Sequence, residues 1–331
     1  MNGAGPVRIG VLGCASIAER RVLPALGLAA EIELVAVASR DPAKAARFAE
    51  RFGCAAAAGY EELLDDPGIE AVYLPLPTGL HERWAERALA AGKHVLAEKP
   101  LTTSERATAR LYDTARAAGL VLMENLMFVR HRQHREVAAL VASGAIGEVR
   151  EMTAEFGIPP LPEDDIRHVA ALGGGALLDM GVYPVRAAQF HLGGPLDVVG
   201  GVRRYDPVRD VDVSCTAVLV SPAGVPARIA VGSERGYRAS YTLWGAEGRI
   251  TVERAFTPPP DHRPVVHIER QGVTEVRRLA PDDHFLALAR RFASAVRGSL
   301  GPAEAAEDER QTLQQARTLD ALAADTRRIP L

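Results

Sequence analysis

Cysteine is scarce in this chain: three in 331 residues, at Cys14, Cys54 and Cys215. Odd in number and far apart, they make neither a disulfide framework nor a zinc-ligand cluster, and no metal site is expected. A block of lysines or arginines is also missing and the net charge is -3, which argues against a nucleic-acid partner. No apolar run approaches the roughly 18 residues that span a bilayer, so no membrane partner is expected. The opening "MNGAGPVRIGVLG" has no charged leader followed by a long apolar region, as an export signal would. The expectation is a reduced, cytoplasmic protein. Internal repeats and low-complexity linkers are absent as well. What remains is an ordinary globular composition, 47% hydrophobic and 24% charged, in a length that suits two domains.

The first third alternates strand and helix. Apolar runs at 7–13, 32–39, 71–76, 94–98 and 120–128 read as strands. Between them, helical stretches run from Ile17 to about Ala30, from Pro42 to Phe52, over 80–92 and over 103–118. Asp41 before Pro42 is the N-cap and first-turn proline combination. Thr102 and Glu105 have capping-box spacing. Gly53 and Gly119 close their helices. Such alternation predicts a doubly wound parallel sheet covered on both faces. Beyond about residue 128 the pattern changes to a helix (131–142), a strand (148–157), a proline-rich loop (158–172) and a glycine-led helix (175–191). Short alternating segments over 197–280 predict an open, mostly antiparallel sheet, and helices at 283–297 and 303–327 follow. The reading is an α/β domain over 1–126 and an α+β domain over 127–331.

"GVLGCASIA" (10–18) joins the first strand to the first helix. A dinucleotide fingerprint would place glycines at 13, 15 and 18, and the chain has Gly13, Ala15 and Ala18. The match is degenerate, and an ordinary βα turn accounts for it about as well. Its place in the first βαβ unit favours phosphate binding by the amides of Ala15, Ser16 and Ile17, with Gly13 and Cys14 leading into the turn. The second strand ends in Ser39 and Arg40, where an NAD-preferring site would carry a carboxylate for the ribose hydroxyls. A hydroxyl beside a guanidinium suits a 2′-phosphate, so NADP is expected in a Rossmann-type domain.

Lys99 follows a strand at its carboxyl end, where ligands collect in such sheets. Most lysines are solvated, but Pro100 restrains the backbone beside this one. Asp179 and Tyr183 lie four apart, on one helical face. The three glycines before that helix allow a close backbone approach. Pro184 predicts a bend or break near Met180–Tyr183. His131 and His134, three apart on a helix, have no third ligand motif nearby and read as surface or interdomain residues.

The strand–turn start, "EKP" and "GGGALLDMGVYP" together resemble the glucose–fructose oxidoreductase, inositol dehydrogenase and MocA family over essentially the whole chain. "GCASIAERRVLPAL", "VYLPLPTGLH", "LMENLMF" and "FTPPPDHRPVVHIERQ" look like its nucleotide-diphosphate-sugar 3-ketoreductases, enzymes of deoxysugar formation in antibiotic pathways. The resemblance implies NADPH and a dTDP-linked 3,4-diketo-2,6-dideoxyhexose, with a homodimer or homotetramer. It places the catalytic lysine at Lys99, the tyrosine proton donor at Tyr183 and an orienting aspartate at Asp179. Leu76, Pro77, His81 and Glu98 fall where relatives line the nicotinamide, and Arg167 where a loop arginine approaches the cofactor. Hydride addition to a ketone builds negative charge on oxygen. A phenol can donate a proton there, and an ammonium can stabilise the charge. A free sugar or dihydrodiol oxidised by the same fold is the alternative.

Overall fold

A computed structural model describes residues 5–331. Backbone contacts divide the chain into two units. The first runs to Met127 and includes Phe285–Thr312; the second comprises Phe128–His284 and Leu313–Leu331.

The first unit is built on β1 (Val7–Leu12), a π-helical turn (Ala18–Val22) running into α1 (Leu23–Leu28), β2 (Ile32–Ala38) and α2 (Pro42–Phe52). It continues with β3 (Ala55–Ala57), α3 (Tyr60–Asp65), β4 (Ala71–Leu74), α4 (His81–Ala90), β5 (His94–Glu98), α5 (Glu105–Ala117) and β6 (Leu122–Asn125). The strands order as β3-β2-β1-β4-β5-β6, every pairing parallel. That is the doubly wound order, with its switch point between β1 and β4. Buried on both faces, β1, β4 and β5 are nearly continuous apolar runs. Asp41 caps α2 as its spacing predicts, accepting from the amides of Ala43 and Lys44. At α5 the cap is Ser104, which accepts from the Ala107 amide at 3.2 Å. Thr102 instead hydrogen-bonds Thr108 and the Ser104 carbonyl, so it ties down the approach rather than capping the helix.

The second unit contains α6 (Arg132–Ala142), β7 (Val149–Gly157), α7 (Ala176–Met180) and α8 (Val182–Leu192). Then come β8 (Asp197–Asp206), β9 (Val211–Val220), β10 (Pro226–Gly232), β11 (Arg238–Gly245), β12 (Gly248–Val252), β13 (Val265–Arg270) and β14 (Val273–Arg278). Nine strands form its sheet, ordered β14-β13-β12-β11-β7-β10-β9-β8-β15, where β15 is Arg327–Pro330. All pairings are antiparallel except β7–β10 and β8–β15. One face alternates in burial against the other, as in β11, where Tyr241 and Leu243 are buried and Trp244 is 58% exposed.

Two differences from the sequence reading have clear causes. Phe285–Thr312, comprising α9 (His284–Val296) beyond its first residue and the start of α10 (Pro302–Asp325), belongs with the first unit. Arg297 there bonds the Glu70 carboxylate and the carbonyls of Gly5 and Pro6. His131 and His134 are not surface residues: both are buried, and both belong to the second unit. His134 Nδ1 lies 3.0 Å from the Tyr241 hydroxyl and Nε2 3.0 Å from the Ala255 carbonyl.

Candidate active site

In the first unit, the predicted cofactor residues gather at the carboxyl ends of β1, β2, β4 and β5. Gly13 has a φ of +122°, which favours glycine, and a Cβ there would meet Leu76 Cδ2 at 2.8 Å and the Pro75 carbonyl at 3.3 Å. The turn after β1 is thus pressed against the loop after β4. Cys14 is buried, which pushes its thiol up to about 11 and leaves it inert. Ala15 and Ile17 are half-buried and Ser16 is exposed at the start of the helical segment. Ser39 is half-buried and Arg40 exposed. No competing carboxylate is offered there, because Asp41 is engaged in its cap.

The β5 end is the most constrained part. Glu98 is 9% exposed, and its Oε1 accepts from the Tyr73 hydroxyl and from Asn125 Nδ2, each at 2.6 Å. Burial raises its carboxyl above the usual range, against the opposing pull of these donors and of Lys99. Lys99 follows, half-buried, and the Lys99–Pro100 peptide is cis. The Leu101 amide donates to Glu124 Oε1 at 2.9 Å. Leu76 and Pro77 are half-buried. His81 is fully buried: Nε2 lies 2.7 Å from the Leu76 carbonyl and Nδ1 3.0 Å from the Pro100 carbonyl.

In the second unit the structure joins two residues to which the resemblance gives separate roles. Arg167 Nε donates to Asp179 Oδ2 at 2.7 Å, and its Nη1 donates to Asp165. The adjacent Asp179 holds the guanidinium proton still more firmly. An open recess here is lined by Arg167, His168, Asp179, Asp212 and Ser233 among others. Tyr183 is 5% exposed, its ring 5.0 Å from Phe156, 5.6 Å from Phe256 and 5.7 Å from Phe128. The helix carrying both residues breaks at Gly181, as Pro184 predicts: its proline nitrogen cannot donate to the preceding turn.

Sequence reasoning misses Tyr73, Asn125, Glu124 and Asp212. Asp212 Oδ2 accepts from the Leu177 amide at 2.7 Å, capping α7 from β9. A carboxylate and an amide inside the apolar run "LMENLMF" were the available signal for Glu124 and Asn125.

A parallel sheet in this strand order, with a glycine turn after β1 and a lysine leaving β5, defines a dinucleotide-binding α/β protein of the oxidoreductase kind. The chain belongs to the GFO/IDH/MocA oxidoreductase family. Residues 7–126 match its NAD-binding Rossmann-fold model and residues 134–251 its C-terminal domain model. The chain is 52% identical over 320 residues to a dTDP-3,4-didehydro-2,6-dideoxy-alpha-D-glucose 3-reductase of Saccharopolyspora spinosa, covering 96% of each. It resembles the structure of a 3-ketoreductase from Actinomadura kijaniata in complex with NADP and TDP-benzene. There the TM-score is 0.95 and the identity 49%, covering 99% of this chain and 100% of that one. A D-xylose 1-dehydrogenase (NADP(+)) of Haloferax volcanii is 36% identical, over 95% of each chain. Among the described residues, no helix is long and apolar enough to cross a membrane.

Proposed function

We propose that this chain is an NADPH-dependent 3-ketoreductase of a dTDP-linked 3,4-diketo-2,6-dideoxyhexose, acting in deoxysugar biosynthesis. The observation that carries this is the whole-length likeness, at 52% identity, to a reductase whose name states that reaction. The residues present fit the cofactor. Gly13, at a positive φ, lets the turn after β1 pack tightly against Leu76 and the Pro75 carbonyl, and Ser39 with Arg40 offers a hydroxyl and a cation to a 2′-phosphate. Bound NADPH supplies the hydride.

The chain's own groups handle the charge and the proton. Tyr183 donates its phenolic proton to the ketone oxygen as negative charge builds there, and the Lys99 ammonium stabilises that charge. Asp179, fixed by Arg167, orients a substrate hydroxyl. Glu98 with Tyr73 and Asn125 steadies the backbone from which Lys99 projects. The part over 1–126, completed by 285–312, holds the dinucleotide, and the remainder of 127–331 holds the sugar and makes the subunit contacts of a cytoplasmic homodimer or homotetramer.

The test is mass spectrometry of the product formed when the diketosugar nucleotide, generated in situ by its dehydratase, meets the protein and NADPH. Gain of two hydrogens with matching NADPH consumption is expected. Absence of conversion, with NADP-dependent oxidation of a free sugar instead, would establish the alternative to which the likeness to the xylose dehydrogenase points.

A further inference from the structure

Tyr237 is 47% exposed just ahead of β11, yet its ring is held in place. The Arg254 guanidinium carbon stands over it, 5.7 Å from the centroid, and its hydroxyl lies 3.3 Å from Thr257 Oγ1. Arg254 follows β12 with a φ of +48°, a backbone conformation uncommon outside glycine. Such strain persists only where the surroundings impose it, and it collects at ligand clamps. Here the neighbours impose it. The Ala255 amide donates to the Ala239 carbonyl at 2.7 Å, and the prolines at 258–260 stiffen the chain beyond Thr257. Among the described residues Arg254 forms no salt bridge. Glu253 and Asp261 share this segment, so it is no general anion trap; what it offers is an aromatic ring with one guanidinium over it. The same segment also reaches the proton donor. Phe256, next to Thr257, is fully buried, and its ring lies 5.6 Å from that of Tyr183.

We propose that Tyr237 and Arg254 form the nucleotide subsite for the substrate: the exposed ring of Tyr237 stacks the thymine, and the Arg254 guanidinium binds the diphosphate. This deepens the ketoreductase reading and rests on it, because it takes the substrate to be a nucleotide-linked sugar. A base has a π-face to lay on an aromatic ring. A guanidinium matches phosphate oxygens, two donors at a time. A free sugar or dihydrodiol has neither group and would leave both side chains idle. The linkage through Phe256 gives the pair a further consequence, since a nucleotide seated on it presents its sugar to the wall that carries Tyr183.

The probe is thymidine diphosphate, titrated calorimetrically into the NADPH-loaded full-length chain, with turnover of the diketosugar nucleotide measured alongside. Tyr237→Ala is expected to weaken thymidine diphosphate binding about tenfold or more, and Tyr237→Phe to stay within about twofold of the parent. Arg254→Gln is expected to weaken it about tenfold at low salt, a loss that shrinks as salt is raised, unlike that of Tyr237→Ala. In both weakened variants the KM for the ketosugar nucleotide rises in step, while kcat stays within about threefold. NADPH affinity remains that of the parent in all three, which also reports that they are folded. Should Tyr237→Ala not fold, Tyr237→Leu, which keeps bulk without an aromatic face, replaces it with the same expectation. Parent-like affinity in the Ala or Gln variant, equal losses in Tyr237→Phe and Tyr237→Ala, or a fall in kcat in place of the rise in KM overturns the proposal. A parent protein that binds thymidine diphosphate through this pair but reduces no ketosugar would remove the ketoreductase reading and leave the subsite. Normal reduction with parent-like variants would do the reverse.

Discussion

Lys99 illustrates how much a single residue owes to its supports. Its backbone is set by a buried carboxyl with Tyr73 and Asn125 on one oxygen, and the proline that follows it is held by an imidazole. Replacing Lys99 by Met and Tyr183 by Phe is expected to cost each variant roughly 100-fold or more in kcat. NADPH titration should show both still binding cofactor; full activity in both would remove these assignments. Arg40→Ala is expected to raise the KM for NADPH about tenfold or more while leaving that for NADH unchanged, through loss of a charge-assisted bond to phosphate. Steady-state kinetics with the two cofactors checks it. Lys99, Asp179 and Tyr183 stand out as candidates in the sequence because they lie in short motifs with recognisable spacing. Tyr73, Asn125 and Asp212 do not, because the first two act across strands and Asp212 on a helix far from it in the chain, and a buried polar tip inside an apolar run leaves no periodic trace. A surface place for His131 and His134 was a misreading for a related reason: with no ligand motif to explain them the surface was the default, whereas His134 finds partners in the core at Tyr241 and Ala255, and His131 accepts from the Gln133 amide.

At the scale of elements, helix α7 depends on what meets its amino end. Gly175 has a φ of +110°, and a Cβ there would fall 2.7 Å from the Asp212 carboxylate that caps the helix. Gly175→Ala is therefore expected to destabilise the protein by about 1–3 kcal/mol, read as a lowered midpoint in chemical denaturation. The break ahead of α8 was foreseeable, since a proline at 184 forbids a continuous ladder. The strand–helix alternation of the first unit was equally plain, because parallel strands covered on both faces are unbroken apolar runs. The elements that escaped notice are short: β3, α3 and the terminal β15 have three, six and four residues. Segments of that size carry no more than two periods of their pattern, too few to stand out.

For the molecule as a whole, acidity is the condition to which the second unit is most exposed. Burial holds His134 well below its ordinary value, and His131 is lowered for the same reason. Both are neutral when folded, whereas the unfolded chain takes up protons below about pH 6.5. Stability is therefore full above that pH and falls as pH drops from there toward the folded values, by up to about 1.4 kcal/mol per pH unit for each histidine. Urea titrations at pH 7.5 and 5.5 should show it, and equal midpoints would contradict it. Trp244, 58% exposed on β11, lies on the open face of the large sheet. Light scattering should find an assembly larger than one chain, and Trp244→Arg should reduce its size. Chain order has a consequence for biosynthesis. The dinucleotide-binding body needs Phe285–Thr312 to be whole, so Glu70 must wait for Arg297 until nearly the entire polypeptide has left the ribosome. At translation rates of about 5–20 residues per second that interval is on the order of ten seconds or more. Throughout it the nascent first unit lacks α9 and the start of α10, and a gene fragment stopped at codon 127 would encode a product without either.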